Sequence, residues 1–307
     1  MSKRGYEILG IIPTKRIDIA YETSGSGEAG VVILIRGQGS QLIHWPESFY
    51  EAFSTRGFRT IRFDNRDTGL SGKFDHIAGQ ELEALKRRIV AGEEIDPPYT
   101  MDEMALDVIA LMDGLHIDSA HIAGISMGGF IAQLLAAKYP SRVLSMTSIM
   151  SGSGPVDATL IDALWSVRRS REVFVQEWVE YVRQFGSKKY FEGDDYSRRI
   201  AAAAFDRCYS PDGANRQLLA IFSRKKTWDW VRTISVPTLV VHGAGDLLIP
   251  PAKGKVTANL IPGARFRLID GMGHDIPPGL GKPLAEIVLA HIRSVTGRAA
   301  PETEARD

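Results

Sequence analysis

The sequence predicts an α/β fold, in which a mostly parallel eight-stranded sheet is flanked by helices and carries an inserted helical cap. Apolar runs typical of buried strands alternate with helical patterns along most of the chain, as in sheets covered on both faces. This alternation stops after residue 151, where several aromatic-rich helical patterns follow one another, and it resumes at residue 235. We therefore predict a core domain of residues 1–151 and 235–296, a cap of residues 152–234 and a disordered tail of residues 297–307.

Eight segments have the length and composition of strands. They lie at residues 6–12, 17–21, 31–35, 59–63, 120–123, 142–150, 236–242 and 264–269. The first two segments alternate on either side of Pro13, which indicates an antiparallel pair. The continuous apolar run VVILI at residues 31–35 instead indicates a strand that is buried on both faces.

Helical patterns occupy most of the connections between these strands. They lie at residues 46–56, 76–92, 130–138, 158–169, 172–185, 196–208, 213–222, 252–260 and 284–295. One more helix is expected after Thr100, which forms a T-x-x-E capping box with Glu103 ahead of an apolar stripe. The helices between residues 158 and 222 follow a strand, so the cap would lie over the carboxyl ends of the strands, where ligands bind in open α/β sheets.

Composition excludes several classes of partner. The 307 residues include 37 Lys and Arg and 37 Asp and Glu, so the formal net charge is zero and gives no reason to expect nucleic acid or an anionic membrane. Cys208 is the single cysteine and cannot form an intramolecular disulfide. No stretch approaches the ~18 apolar residues of a membrane span, and we expect a cytoplasmic protein.

A G-x-S-x-G pattern stands at Gly124, Ser126 and Gly128, between the strand at 120–123 and the helix at 130–138. In that context it is typical of a nucleophile elbow, a strained turn that projects a serine Oγ above the sheet edge. Glycine is needed on both sides of the serine because a Cβ there would collide as strand and helix fold over the turn. Ser126 is therefore the candidate nucleophile.

A serine hydroxyl needs a base, and the base needs a carboxylate that orients it. Asp246 and His274 follow Ser126 in the order that this kind of site requires, and each stands in a loop directly after a predicted strand. All three side chains can thus meet at one sheet edge. Asp270 and Asp275 are rival acids, but each is too near His274 in sequence to hold its imidazole from behind.

The oxyanion of a tetrahedral intermediate needs preorganised donors. We predict the backbone N–H groups of Met127, after the nucleophile, and of Gln38, in the loop after the VVILI strand. Predicted substrate-binding residues are Gly37, Ile125, Trp165 and Trp178, although aromatic residues at helical spacing are more often the core of a cap than a substrate wall.

Arg36 opens the same loop and has two interpretations. It can cap the loop by binding carbonyls or a carboxylate such as Asp64 or Asp67, which is the role we favour, or it can bias the pocket toward acidic substrates. Asp64, Arg66 and Asp67 themselves resemble a lock on the turn after the strand at 59–63.

No pattern predicts a metal or a cofactor. No pair of His, Cys or Asp residues has ligand spacing such as H-E-x-x-H, and glycine-rich segments such as GQGS lack the context of dinucleotide or phosphate loops. The expected partner is a small-molecule ester, and the sequence leaves open whether the protein is a monomer or a homodimer.

Over residues 6–295 the chain resembles the α/β-hydrolase superfamily. The segments RGQGSQLIHWPESF, FDNRDTGLS, GISMGG, VPTLVVHGAGD and GMGHDIP are similar to those of aclacinomycin methylesterase and related bacterial carboxylesterases. The resemblance implies Ser126, Asp246 and His274 as a catalytic triad and cofactor-free ester hydrolysis through an acyl-enzyme. Many members have His-Gly where this chain has Arg36-Gly37, and a serine at position 126 disfavours the branches with an aspartate nucleophile.

Three functions remain open from the sequence. The first is a serine carboxylesterase that acts on a hydrophobic ester. The second keeps the triad but changes the reaction, to a cofactor-free haloperoxidase or perhydrolase, a lactonase, an amidase or a C–C hydrolase. The third is a non-catalytic ligand-binding protein on the same fold.

Overall fold

The computed structural model describes residues 6–14, 16–154, 156–157, 160–223 and 229–297. Its centre is one sheet in the order β1-β2-β4-β3-β5-β6-β7-β8. The strands are β1 (Tyr6–Ile12), β2 (Ile19–Ser24), β3 (Gly30–Ile35), β4 (Phe58–Phe63), β5 (Ala120–Ile125), β6 (Val143–Ile149), β7 (Thr238–Gly243) and β8 (Arg265–Ile269). β2 runs antiparallel to β1 and β4, and all other neighbours are parallel, which confirms the mostly parallel eight-stranded sheet.

Helices cover both faces of this sheet. They are α1 (Glu47–Ser54), α2 (Gln80–Val90), α3 (Met101–Gly114), α4 (Met127–Lys138), α5 (Leu160–Leu164), α6 (Arg171–Phe185), α7 (Asp194–Arg207), α8 (Pro211–Phe222), α9 (Pro251–Leu260) and α10 (Pro278–Thr296). The apolar sides of α3 and α4 share one buried cluster with the sheet, and those of α1 and α10 share another. β5 lies between these layers, and all six of its residues are buried.

Two helices differ most from their predicted bounds, each for an identifiable reason. The pattern at 158–169 yields only the short α5, and residues 158 and 159 lie outside the described part. Asn215 of α8 instead accepts from the N–H of Ser166 at 2.7 Å and donates to its carbonyl at 2.8 Å, which satisfies that backbone without a helix. α10 begins six residues earlier than predicted, because a proline such as Pro278 is tolerated in the first helical turn.

The helices α5 to α8 are inserted between β6 and β7, where the sequence predicts the cap. Among the described residues no helix is both long enough and apolar enough to cross a membrane. The described chain ends just after α10, with Gly297 in the left-handed conformation. The predicted tail lies outside it from residue 298 onward.

Candidate active site

Ser126 stands in a strained turn between β5 and α4. Its φ of 54° and ψ of −120° are unfavourable for a residue with a side chain, and α4 begins at the next residue instead of at residue 130 as predicted. A Cβ at Gly124 would collide with the backbone of Gly128, and one at Gly128 would collide with the carbonyl of Ile35. The two glycines therefore permit the close approach from which the sequence predicted the elbow.

The structure brings Ser126, His274 and Asp246 together. His274 Nε2 lies 3.1 Å from Ser126 Oγ, and His274 Nδ1 lies 2.8 Å from Asp246 Oδ2. The loop that carries His274 is held from the inserted helices, since the His274 N–H donates to the carbonyl of Phe185 at 2.7 Å. With the hydrogen on Nδ1, the imidazole can accept the serine proton at Nε2.

Asp246 is fixed by more donors than the sequence indicated. Its Oδ1 accepts from the N–H groups of Leu248 and Ile249 at 3.0 and 2.9 Å. His242 Nε2, which lies 2.8 Å from the carbonyl of Ile249, is also 3.3 Å from Asp246 Oδ2. Burial alone would raise the pKa of Asp246, but hydrogen bonds from His242 and His274 outweigh it and hold that pKa well below its usual range.

The order of residues that identifies Ser126, Asp246 and His274 does not include His242. Its position four residues before Asp246 was the available signal. The rival acids lie elsewhere: Asp275 Oδ1 accepts from the N–H of Ser187 at 2.7 Å, and exposed Asp270 pairs with Lys189 at 3.4 Å. Neither rival is hydrogen-bonded to the His274 ring.

The loop after β3 lies against the elbow. A Cβ added at Gly37 would be 3.3 Å from Ser126 Cβ. Inserted helix α8 holds this loop, because Gln38 Nε2 donates to the Ala214 carbonyl at 2.9 Å and the Gly39 N–H donates to Gln217 Oε1 at 2.8 Å. Met127 opens α4, where the first N–H groups of a helix lack an intrahelical acceptor. The backbone of both predicted donors thus adjoins Ser126.

A cavity of about 900 Å³ opens above Ser126. All predicted site residues except Asp246, which lies behind His274, line this cavity: Gly37, Gln38, Ile125, Ser126, Met127, Trp165, Trp178 and His274. The inserted helices supply much of the remaining wall through aromatic rings such as Phe174, Phe205 and Tyr209. A cavity of this size and lining suits an apolar small molecule.

Two ion pairs with buried carboxylates join the inserted helices to the turn after β4. Arg207 of α7 lies 2.7 Å from Asp64, and Arg216 of α8 forms a two-pronged contact with Asp67, at 2.8 Å from each oxygen. The prediction that Arg36 binds Asp64 or Asp67 is therefore wrong, because both carboxylates are occupied by arginines of the inserted helices. Sequence patterns did not indicate these partners, which are more than a hundred positions away.

Arg36 has no ion pair among the described residues. Its Nε and Nη1 atoms are buried without a hydrogen-bond acceptor, and its Cζ lies 5.0 Å from the centre of the Trp45 ring. Burial lowers the pKa of Arg36 to about 10, opposed by the nearby Tyr196, Tyr181 and Asp275, so the guanidinium stays charged at neutral pH. Within the described ranges, no three His, Cys, Asp or Glu side chains are grouped as they would be around a metal ion.

Comparison with known proteins adds a family and several relatives. A family model described as alpha/beta hydrolase fold matches residues 30–277. Rhodomycin D methylesterase from Streptomyces peucetius is 28% identical, over 93% of this chain and 100% of the relative. The fold is similar to that of an enol-lactonase from Burkholderia xenovorans LB400, with a TM-score of 0.71 and 22% identity over 92% of this chain and 99% of that one. A meta-cleavage product hydrolase from Pseudomonas fluorescens IP01 has a TM-score of 0.74 and 20% identity, over 93% and 98% of the two chains.

Proposed function

The chain belongs to the α/β hydrolase family, and from that premise we propose that it is a serine carboxylesterase that cleaves a hydrophobic ester through an acyl-enzyme on Ser126. The observation that carries the proposal is the hydrogen-bonded series Ser126–His274–Asp246, on an elbow that opens into the 900 Å³ cavity. The methylesterase relative supports ester hydrolysis. The lactonase and the meta-cleavage product hydrolase support only the fold of this chain, and the proposal does not draw on their reactions.

In the proposed reaction, His274 Nε2 removes the proton of Ser126 Oγ as the oxygen attacks the ester carbonyl. Asp246 keeps the hydrogen of His274 on Nδ1 and stabilises the imidazolium that forms. The N–H groups of Gln38 and Met127 stabilise the oxyanion. His274 then gives its proton to the leaving alkoxide, and a water molecule activated by the same imidazole releases the acid.

The inserted helices serve in this proposal as a cap over the acyl-enzyme. Their aromatic side chains line the cavity above Ser126, so a bound apolar substrate would displace water there and strengthen the interactions with the oxyanion. The same lining favours an apolar group on the substrate.

The test replaces Ser126 with alanine and follows hydrolysis of p-nitrophenyl butyrate. Ser126→Ala is expected to lower kcat on the order of 10⁶-fold, the scale measured for loss of a triad nucleophile, and to abolish labelling by a fluorophosphonate. Ser166→Ala is the matched control, since Ser166 also lines the cavity, and its backbone is hydrogen-bonded to Asn215 and not to a residue of the relay. Unchanged turnover and labelling in Ser126→Ala would refute the proposal.

A substrate panel separates this function from the other reactions of the same triad. Lactones and p-nitrophenyl esters are compared at equal concentration, with and without hydrogen peroxide as a competing acyl acceptor. An esterase turns over the open-chain esters best and shows no perhydrolysis beyond that of an ordinary esterase. A clear preference for lactones, or efficient perhydrolysis, would replace the proposed reaction with one of the alternatives.

A further inference from the structure

A second, smaller cavity of about 60 Å³ adjoins the main one. Both cavities are lined by Arg36, His44, Trp178, Val182 and Asp275, so these residues stand where the two spaces meet. A volume of this size holds about two water molecules, or one group the size of a carboxylate.

Buried side-chain nitrogen atoms without a hydrogen-bond partner belong to two residues that line this junction. Arg36 contributes Nε and Nη1, neither of which has an acceptor among the described residues. His44 contributes Nε2, which is also buried without a partner. His44 Nδ1 lies 3.0 Å from the Gln41 nitrogen and 3.1 Å from the Gln41 carbonyl oxygen, and when Nδ1 accepts from that N–H the ring hydrogen stands on Nε2. Burial, together with the charge of Arg36, lowers the pKa of His44 to about 3, so the ring remains neutral.

The acidic residues of the small cavity do not neutralise Arg36 by direct contact. Asp275 and Glu192 both line it, yet Arg36 Nε and Nη1 have no hydrogen-bond partner, and the guanidinium forms no ion pair with a carboxylate of the described chain. Asp275 is instead engaged by the Ser187 N–H, which donates to its Oδ1 at 2.7 Å, and burial raises the pKa of this carboxyl group. A buried guanidinium without an ion-pair partner is costly, and such a group in a native site calls for an explanation.

We propose that Arg36 and His44 bind a free carboxylate of the substrate, so that the preferred ester carries a second, unesterified carboxyl group. This inference rests on the proposed esterase function and names its substrate class. A guanidinium matches a carboxylate geometrically, and in the tautomer with its hydrogen on Nε2 the His44 ring adds a neutral donor. Arg36 directly precedes Gly37, which adjoins Ser126, so the carboxylate stands only a short chain away from the ester carbonyl.

The test compares esters that differ in the carboxylate alone. Monomethyl succinate, glutarate and adipate are paired with neutral methyl esters of equal chain length, and kcat/KM is measured by pH-stat titration. The wild-type protein is expected to favour the acidic ester of the best length by about 10- to 100-fold, the range for a hydrogen bond to a charged group. Arg36→Gln removes this preference, and Arg36→Lys keeps part of it because the charge remains without the fork.

Arg169→Gln is the matched control. Arg169 also lines the main cavity, but it is paired with Glu177 at 2.8 Å, and 38% of its side chain is exposed. If Arg169→Gln lowers the preference as much as Arg36→Gln does, the effect is a general one of positive charge, and the inference is overturned. It is overturned equally if the wild-type protein hydrolyses both members of each pair at the same rate.

Calorimetry of glutarate binding to the Ser126→Ala variant tests the carboxylate site without any turnover. Binding that is lost on adding Arg36→Gln supports the carboxylate site, and absence of binding contradicts it. The two proposals fail differently. If fluorophosphonate labels Ser126 and neutral esters are hydrolysed, but acidic esters are not preferred, only the carboxylate site is refuted. If the protein is not labelled and hydrolyses no ester, the esterase function is refuted.

Discussion

The buried pair between Arg216 and Asp67 is predicted to be essential for stability. Both side chains are 0% exposed, and two N–H···O contacts of 2.8 Å join them. Replacing Arg216 with glutamine leaves the carboxylate buried with two other donors, the Tyr99 hydroxyl at 2.7 Å and the Phe74 N–H at 2.8 Å. Loss of one partner of a buried pair lowers the free energy of unfolding by about 3–5 kcal/mol. Because two donors to the carboxylate remain, we expect Arg216→Gln to lower it by about 3 kcal/mol.

A loss of that size is a large part of the 5–15 kcal/mol that stabilises a typical domain, and it lowers Tm on the order of 10 °C. Activity should fall as well, since α8 also holds the loop that carries Gln38. Its Ala214 carbonyl accepts from Gln38 Nε2, and its Gln217 side chain accepts from the Gly39 N–H. Arg216→Gln is therefore expected to lower kcat for p-nitrophenyl butyrate even where the variant is fully folded.

Urea unfolding and thermal denaturation measure the stability of Arg216→Gln, of Asp67→Asn and of the double variant. The cost of the double variant should fall short of the summed single costs, because the second substitution removes a charge already stranded by the first. Arg171→Gln is the control, since Arg171 makes an equally close two-pronged contact with Asp206 at an exposed position, and its Tm should stay unchanged. Equal Tm values for Arg216→Gln and Arg171→Gln would refute the reasoning, as would full additivity.

Two further predictions concern buried histidines. His242→Leu should lower kcat by about tenfold with little change in KM, because it removes a donor near Asp246 that does not touch the substrate. This loss is smaller than the one expected on removing an acid–base residue. His242→Gln can place an N–H at a similar reach and should keep most of the wild-type kcat, so equal kcat values for the two variants would contradict the prediction. The free energy of unfolding should fall as pH drops from 7 to 4. Burial lowers the pKa of His121 to about 4, so the unfolded chain protonates first and stability present above pH ~6.5 is lost toward pH 4. His121→Gln should reduce that slope by up to about 1.4 kcal/mol per pH unit in urea titrations, and an unaltered slope would contradict the assignment.

The sheet was predictable because its strands are local signals. A continuous apolar run such as VVILI in β3 directly predicts a strand that is buried on both faces. The capping box of Thr100 and Glu103 marks the start of α3, and both of its reciprocal hydrogen bonds are present in the structure. α5 was mispredicted because helical periodicity at residues 158–169 competes with a contact from a distant segment. The Asn215 amide, about fifty residues away, satisfies the backbone of Ser166.

The same difference explains the candidate site. Ser126, Asp246 and His274 could be found because each stands in a short motif after a strand, and parallel strands end at a common edge. The partners of Asp64 and Asp67 could not, since Arg207 and Arg216 stand in amphipathic helices where any surface arginine has the same local pattern. The same partners decide the interpretation of Arg36, because they occupy the two carboxylates that the sequence offered to its guanidinium.

The loop of residues 36–39 links these features mechanically. It carries the proposed oxyanion donor Gln38 and the proposed carboxylate ligand Arg36, and contacts from α8 hold it in place. A carboxylate bound at Arg36 therefore acts on the segment that positions a donor for the transition state. Binding energy at such a remote group raises kcat when it is used to order the reacting centre, and raises only affinity when it is not. In the proposed enzyme, the free carboxylate should thus increase kcat as well as lower KM.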